Sequence, residues 1–337
     1  MELYPWQNDQ WQKVMRMRGR MPHALLLQGR NGIGKRDFAM ALAQSLLCDQ
    51  PLTDHSACGQ CHGCNWFAQG NHPDFRLLEP EETSGSSGED VSAEPKSTRK
   101  TQISVDQVRT LADFLGLSSH RSGLRIILLH PAEALNQASA NALLKMLEEP
   151  PPNVMFLLVT HQPQHLLPTI RSRCSQFDMP IPARSVAVKW LARHGIKQAT
   201  QRLAYAGGAP LRAMEQDDGS EKRLTELHSM LARAGGMDPF AAAALCTKEG
   251  VAHAVDILQK WTYDLLGMNL TGITRFNIEQ AASLQGLAKK VDLRKLLDFQ
   301  RVLTEARRFA RHPLNAELQV ESLMIQYTQI FTMPPKP

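Results

Sequence analysis

Near the start of the chain, Gly29-Arg30-Asn31-Gly32-Ile33-Gly34-Lys35 follows the spacing Gly-x-x-x-x-Gly-Lys of a phosphate-binding loop. Glycines let successive backbone N–H groups turn inward around phosphate oxygens. The lysine adds a point charge, and the start of the following helix adds a partial positive charge. Gly29, Asn31, Gly32, Gly34 and Lys35 are therefore candidate nucleotide contacts, the alternative being a flexible strand-to-helix turn. The next position should offer a Ser or Thr hydroxyl to Mg²⁺, and here it is Arg36, a permanent cation that cannot ligate a metal. A second metal position, an acid ending the apolar run Leu124 to Leu129, is replaced by His130-Pro131. No Mg²⁺ ligands are evident. Nucleotide binding is compatible with these residues; efficient hydrolysis by this chain alone is not expected.

Four thiols follow in the pattern Cys48-x9-Cys58-x2-Cys61-x2-Cys64. Two tight Cys-x2-Cys turns can aim sulfurs at one centre about 2.3 Å away, and four sulfurs leave no open position, which describes a structural zinc site. Free structural thiols or a redox Cys-x2-Cys pair are the competing readings, and His55 or His62 could replace one ligand. Cys174 and Cys246 stand apart. Further along, Ser172-Arg173-Cys174 carries an arginine close behind a strand-like run that ends in Thr160. By chemistry alone Arg173 belongs to a solvated face and Thr160 to a strand end.

These groups need a scaffold that brings strand ends together. Ala24 to Gln28 is a short apolar run bounded by polar residues and glycines, as buried strands are; Phe75 to Leu78, Leu124 to Leu129 and Val154 to Thr160 are similar. Phe38, Ala41, Leu42 and Leu46 recur at helical spacing. Ala132 to Glu149 is rich in helix formers and is stopped by Pro150-Pro151-Pro152. Strands alternating with helices predict an α/β domain built on a parallel sheet. From Pro182 onward only helical patterns follow, at Val186 to Leu191, Leu224 to Ala234, Ala241 to Cys246, Val255 to Leu266 and Leu293 to Ala310. Gly207-Gly208-Ala209-Pro210 and Gly235-Gly236 break them. Residues 79–100 are nearly devoid of apolar side chains and read as a mobile insert.

With 337 residues, 43% hydrophobic and 21% charged, the composition is that of an ordinary globular protein with room for two or three domains. No run of about 18 apolar residues is present and the first twenty residues lack a signal-peptide core, so no membrane partner and a cytoplasmic location are expected. A net charge of +5 permits nucleic acid nearby without requiring it. A nucleic-acid-binding zinc module would place Lys or Arg among its cysteines, and Cys48 to Cys64 holds neither.

Taken together, the phosphate loop, the four-cysteine insert after its helix and Ala138-Ser139-Ala140-Asn141-Ala142-Leu143-Leu144-Lys145-Met146-Leu147-Glu148-Glu149-Pro150-Pro151 resemble the bacterial clamp-loader branch of the AAA+ family. Ser172-Arg173-Cys174 matches that branch's Ser-Arg-Cys motif, and Tyr4-Pro5-Trp6 and His72-Pro73-Asp74 also fit. The likeness is dense over residues 1–180. Beyond them it rests on helical architecture and Gly207-Gly208-Ala209-Pro210. It implies that Arg173 serves as an arginine finger, in trans, for ATP held by a neighbouring subunit. It implies that Cys48, Cys58, Cys61 and Cys64 bind structural zinc, and that Thr160 stands where the terminal phosphate is sensed. Hydrolysing members carry a further sensing arginine where this chain has Leu211, with Arg212 one place off. Three domains are expected: an AAA+ nucleotide-binding-like domain over 1–178 with its zinc module at about 48–74, a helical lid over 179–222, and an all-α collar over 223–337. The implied partners are the other loader subunits, the ATPase subunits and the delta subunit among them, with a sliding clamp and primer-template DNA reached through the assembly. Such a chain counts as part of a DNA-directed DNA polymerase holoenzyme, with no ATPase activity of its own expected. The alternative is an ATP-hydrolysing paralogue within the same loader.

Overall fold

A computed structural model describes residues 3–81, 102–116, 123–215, 218–247, 250–310 and 315–331; most of the predicted insert at 79–100 lies outside them. The chain folds as two compact units, Met1–Val186 and Ala187–Pro337.

The first unit is built on five strands, β1 (Ala24–Gln28), β2 (Phe75–Leu78), β3 (Arg125–Leu129), β4 (Val154–Thr160) and β5 (Ser175–Asp178). They form one sheet in the order β2-β3-β4-β1-β5, with every pairing parallel. All the predicted strands are present. The central pair β1 and β4 is apolar along nearly its whole length because helices cover both faces of a parallel sheet. Edge strand β5 escaped prediction because Ser-Gln-Phe-Asp buries only Phe177. Registers Gln28↔Thr160 and Leu78↔Leu129 bring the carboxyl ends of β1 and β4, and of β2 and β3, to one edge.

Among the described residues, six α-helices accompany the sheet: α1 (Asn8–Arg16), α2 (Lys35–Leu46), α3 (His62–Ala68), α4 (Val105–Gly116), α5 (Gln137–Glu148) and α6 (Pro168–Arg173). On one face, Val108, Leu111 and Leu143 pack with Leu26, Ile127 and Phe156 in one apolar cluster. Elsewhere Trp11 meets Phe38 edge-on at 5.8 Å, and Phe38 stacks with Phe177 at 6.1 Å. The single helix expected over Ala132 to Glu149 is split. Asn136 accepts a hydrogen bond from the Ser139 N–H and so caps α5, leaving Ala132–Ala134 as a separate 3-10 turn.

Among its described residues, the second unit is helical apart from one isolated bridge, Val291 to Phe331. Its first three helices, α7 (Arg184–Arg193, which begins in the first unit), α8 (Ala199–Tyr205) and α9 (Pro210–Met214), enclose a small apolar cluster around Ala187, Leu191, Leu203 and Ala213. A larger cluster is enclosed by α10 (Asp218–Leu231), α11 (Pro239–Thr247), α12 (Val251–Thr271), α13 (Ala281–Ala288), α14 (Leu293–Phe309) and α15 (Ala316–Gln329). At its centre the indole N–H of fully buried Trp261 donates to the Tyr327 hydroxyl at 2.8 Å. That hydroxyl donates in turn to the Leu231 carbonyl at 2.8 Å, joining α12, α15 and α10. Among the described residues no helix is long and apolar enough to cross a membrane.

The chain leaving α12 is held by fully buried Asp264. Its carboxylate accepts the backbone N–H groups of Arg275 at 2.7 Å, Phe276 at 3.0 Å and Asn277 at 2.6 Å, and the Asn277 side-chain amide at 2.9 Å. Removing it strands the two donors of buried Asn277 and frees the Arg275 and Phe276 N–H groups, so Asp264→Ala should cost about 3 kcal/mol of stability. Urea unfolding measures this, and a loss below about 1 kcal/mol would mean the carboxylate does not anchor the turn.

Candidate functional site

The segment joining β1 to α2 has the shape its glycines require. Gly34 has φ +82°, and a Cβ there would lie 2.5 Å from the Tyr4 ring; at Gly29 it would lie 2.4 Å from the Met179 carbonyl oxygen. The chain start covers the outside of the loop. The Trp6 indole donates to the Ile33 carbonyl at 3.0 Å, the Gln7 amide to the Gly34 carbonyl at 2.7 Å, and the Tyr4 hydroxyl to Asp37 at 3.0 Å. Asn31 is exposed, whereas Lys35 is only 2% exposed. The Lys35 ammonium donates to the Arg30 carbonyl at 2.5 Å. Burial lowers its pKa to about 8, opposed by the negative charge of Glu133.

Two carboxylates lie at neighbouring strand ends, Glu79 paired with Arg36 and Glu133 bound to the end of β4. Arg36 makes a forked pair with Glu79, Nε to Oε1 at 2.6 Å and Nη2 to Oε2 at 3.0 Å, and His130 Nδ1 lies 2.9 Å from the same Oε1. Burial pushes the Glu79 carboxyl up, but the hydrogen bonds of His130 and Arg36 and the charge of Arg36 prevail and hold it at about 2. Glu133 follows β3 in the 3-10 turn. It accepts the Thr160 hydroxyl at 2.8 Å and the His161 backbone N–H at 3.0 Å. The His161 imidazole is pushed down to about 4 by burial and then by the charge of Lys35, and it packs edge-on against His130 at 5.4 Å.

The candidate nucleotide residues Gly29, Asn31, Gly32, Gly34, Lys35 and Thr160 thus share one edge of the sheet, where ligands of α/β folds bind. The residues present do not fit a Mg²⁺ ion. The ligand position in α2 is a guanidinium, Glu79 is committed to it, and Glu133 already takes two hydrogen bonds. Sequence inspection missed Glu79, Glu133 and His161. Each sits at or just beyond the carboxyl end of a strand, and that position was the available signal: Glu79 directly follows Leu78, but it had been assigned to the insert.

The four cysteines converge as their spacing predicts. Their Sγ atoms lie within 4.8 Å of one another, with Cys48–Cys58 at 3.5 Å and Cys48–Cys61 and Cys58–Cys64 at 3.9 Å. Tetrahedral zinc with bonds of about 2.3 Å needs sulfurs about 3.8 Å apart, so the set fits the ion. Backbone N–H groups aim at the sulfurs, Cys61 at Cys58 Sγ (3.4 Å) and Cys64 at Cys61 Sγ (3.3 Å). The N–H groups of Gln60 and Cys61 pull the Cys58 thiol down to about 6, whereas burial pushes the Cys48 and Cys64 thiols up. Neither His55 nor His62 joins the group; His62 lies beside the Trp66 ring instead.

Arg173, the last residue of α6, lies apart from the loop in its contacts. Its guanidinium donates to the Thr169 carbonyl at 3.0 Å and pairs with Glu148, at the end of α5, at 2.7 Å. The arginine side chain is 35% exposed and that of Glu148 is 47% exposed. Cys174 beside it is buried, which raises its thiol to about 11.

Residues 6–182 match the family model described as DNA polymerase III, delta subunit. Over 98% of both chains the protein is 33% identical to the DNA polymerase III subunit delta' of Pseudomonas aeruginosa. It is 31% identical to that of Haemophilus influenzae over 83% of this chain and 86% of the relative. It is 35% identical to that of Escherichia coli over 67% of this chain and 64% of the relative. With its family match over the whole sheet-bearing region and a full-length relative at this identity, the chain belongs to the DNA polymerase III delta-prime family.

Proposed function

We propose that this chain serves in the clamp loader as a partner to ATP-binding subunits rather than as a motor. One observation carries the reading: the loop that should hold Mg²⁺ instead carries the Arg36–Glu79 pair, while Arg173 is presented on a different helix. In this reading Arg173 reaches ATP bound to a neighbour. Its planar fork neutralises charge developing on the transferred phosphate. To do so it must leave Glu148, and a half-exposed pair of this kind is worth at most about 1 kcal/mol, so a polyphosphate displaces the carboxylate readily. The energy for opening and closing the sliding clamp on primer-template DNA comes from the neighbours' ATP.

The apolar cluster spanning α7 to α9 is the core of a lid over 179–222, and the larger one is the core of a collar over 223–337 that joins the partner subunits. Zinc at Cys48, Cys58, Cys61 and Cys64 would be structural, closing the connection between α2 and α3 with four sulfurs and no open position.

In a loader reconstituted with clamp and primed DNA, Arg173→Ala should leave assembly intact and lower ATP turnover at the served site by roughly 10³-fold or more. Unchanged turnover would sink the finger role. The isolated chain should show negligible ATP turnover, with or without Mg²⁺; steady turnover abolished by Lys35→Ala would identify a hydrolysing paralogue instead. Elemental analysis should find about one zinc per chain, lost in Cys64→Ser, as expected for a closed four-sulfur site. A metal-free native protein would remove that assignment.

A further inference from the structure

Inside the second unit lies a cavity of about 320 Å³. It opens where α8, α9, α10, α12 and the turn that follows α12 come together, and its volume is in the range of small-molecule sites. Two side chains on its wall are buried with a polar atom left over. His228, on α10, is 6% exposed and its Nε2 has no hydrogen-bond partner. Asn277 is 4% exposed; its amide nitrogen serves Asp264, and its Oδ1 has no partner. Such atoms are costly to leave unpaired, so the cavity calls for an occupant with hydrogen-bonding groups.

Water alone could answer those two atoms, but the charges on the wall ask for more. Arg202 pairs with Glu221 at 2.6 Å and Lys260 with Asp256 at 2.6 Å, and the Lys260 ammonium also lies 4.0 Å over the Tyr205 ring. Arg212 also lines the cavity. Its charge reaches Asp256 and Lys260, yet among the described residues its guanidinium makes no ion pair. Burial and then the charge of Lys260 push the His228 imidazole down to about 4, so it is neutral near pH 7. Glu215 and Glu279 line the cavity too, but both are exposed, where water and salt screen them. One guanidinium is left for an anion from outside, and its fork suits a phosphate.

We propose that this cavity binds a nucleoside monophosphate, with Arg212 taking the phosphate while Asn277 and His228 bond the edge of the base. A base edge carries both donors and acceptors, which suits an amide oxygen and a neutral imidazole, and Tyr205 and Phe276 bring aromatic surface for the ring. One unpaired guanidinium matches one phosphate group. Each added phosphate brings charge toward Glu215 and Glu279 with no further unpaired cation to meet it, so affinity falls from mono- to triphosphate. A phosphate loop has the opposite preference, because its lysine serves the outer phosphates. The site is therefore separate from the Lys35 loop and does not depend on the partner role.

Titration calorimetry of the full-length chain with AMP in magnesium-free buffer tests this. AMP should bind one-to-one. Arg212→Met, which removes the charge from a half-buried position, should weaken AMP at least about tenfold, as loss of a charge-assisted hydrogen bond does. His228→Phe keeps a ring beside Trp261, which the imidazole stacks on at 5.0 Å, and should weaken AMP about threefold or more. In Lys35→Ala, where the phosphate loop is disabled, AMP binding should persist, with ADP and ATP weaker in turn. Zinc content and a thermal melt verify that each variant keeps the fold. No saturable AMP binding below about 1 mM would overturn the proposal. So would AMP binding that survives Arg212→Met or is lost in Lys35→Ala, or a preference of Lys35→Ala for ATP over AMP.

Discussion

Two adjacent cations open α2, and the rest of the first unit is arranged around that fact. A helix start already carries a partial positive charge, so Lys35 and Arg36 add to a field that favours anions. Lys35 is almost fully buried as well, which makes an uncompensated charge there costly. The fold answers with acceptors from two directions, the Arg30 carbonyl from the loop itself and Glu79 after β2, and the negative charge of Glu133 after β3 acts on Lys35 from farther off. Only a parallel sheet delivers consecutive strand ends to one edge in this way, so strand order and the charge balance of the loop are one problem.

The cysteine module belongs to the same problem. The chain leaves β1 near the middle of the sheet and must reach β2 at the far edge, crossing the positions of β4 and β3. It does so through α2, the cysteine turns and α3. Cys48 follows α2, Cys61 caps α3 and Cys64 lies in its first turn. A tetrahedral metal clasp would fix the end of α2 relative to α3, and α3 leads within a few residues into β2 and Glu79. The clasp therefore bears on where Glu79 arrives to meet Arg36, although none of its sulfurs touches the loop's charges.

How much of this could be read from residue types depended on burial. The central strands were legible because both their faces are apolar, and the cysteines because their spacing is short-range and leaves few geometries. The α5 boundary was misplaced because a polar cap, Asn136, overrode good helix formers on either side of it. Strand β5 was invisible because an edge strand with one buried side chain has no apolar run to detect. The loop cations are legible from residue types, but Glu79, which pairs with Arg36, lies 43 residues away along the chain. Long-range pairing of that kind follows from strand order, which residue periodicity does not determine.

The pairs involving Arg36 and Arg173 show how one scaffold holds two arginines differently. Both arginines meet a glutamate at 2.6–2.7 Å. Arg36 is gripped by both carboxylate oxygens of Glu79, so leaving it breaks two bonds at once, and His130 holds the same carboxylate in place. Arg173 has one pairing oxygen on Glu148 and one backbone carbonyl. A multivalent phosphate offers Arg173 a stronger fork than Glu148 does, but offers Arg36 little that Glu79 has not already supplied. The two arginines are about equally exposed, 38% at Arg36 and 35% at Arg173, so the difference lies in the carboxylate fork: Arg36 has two bonds to Glu79, and Arg173 has one to Glu148.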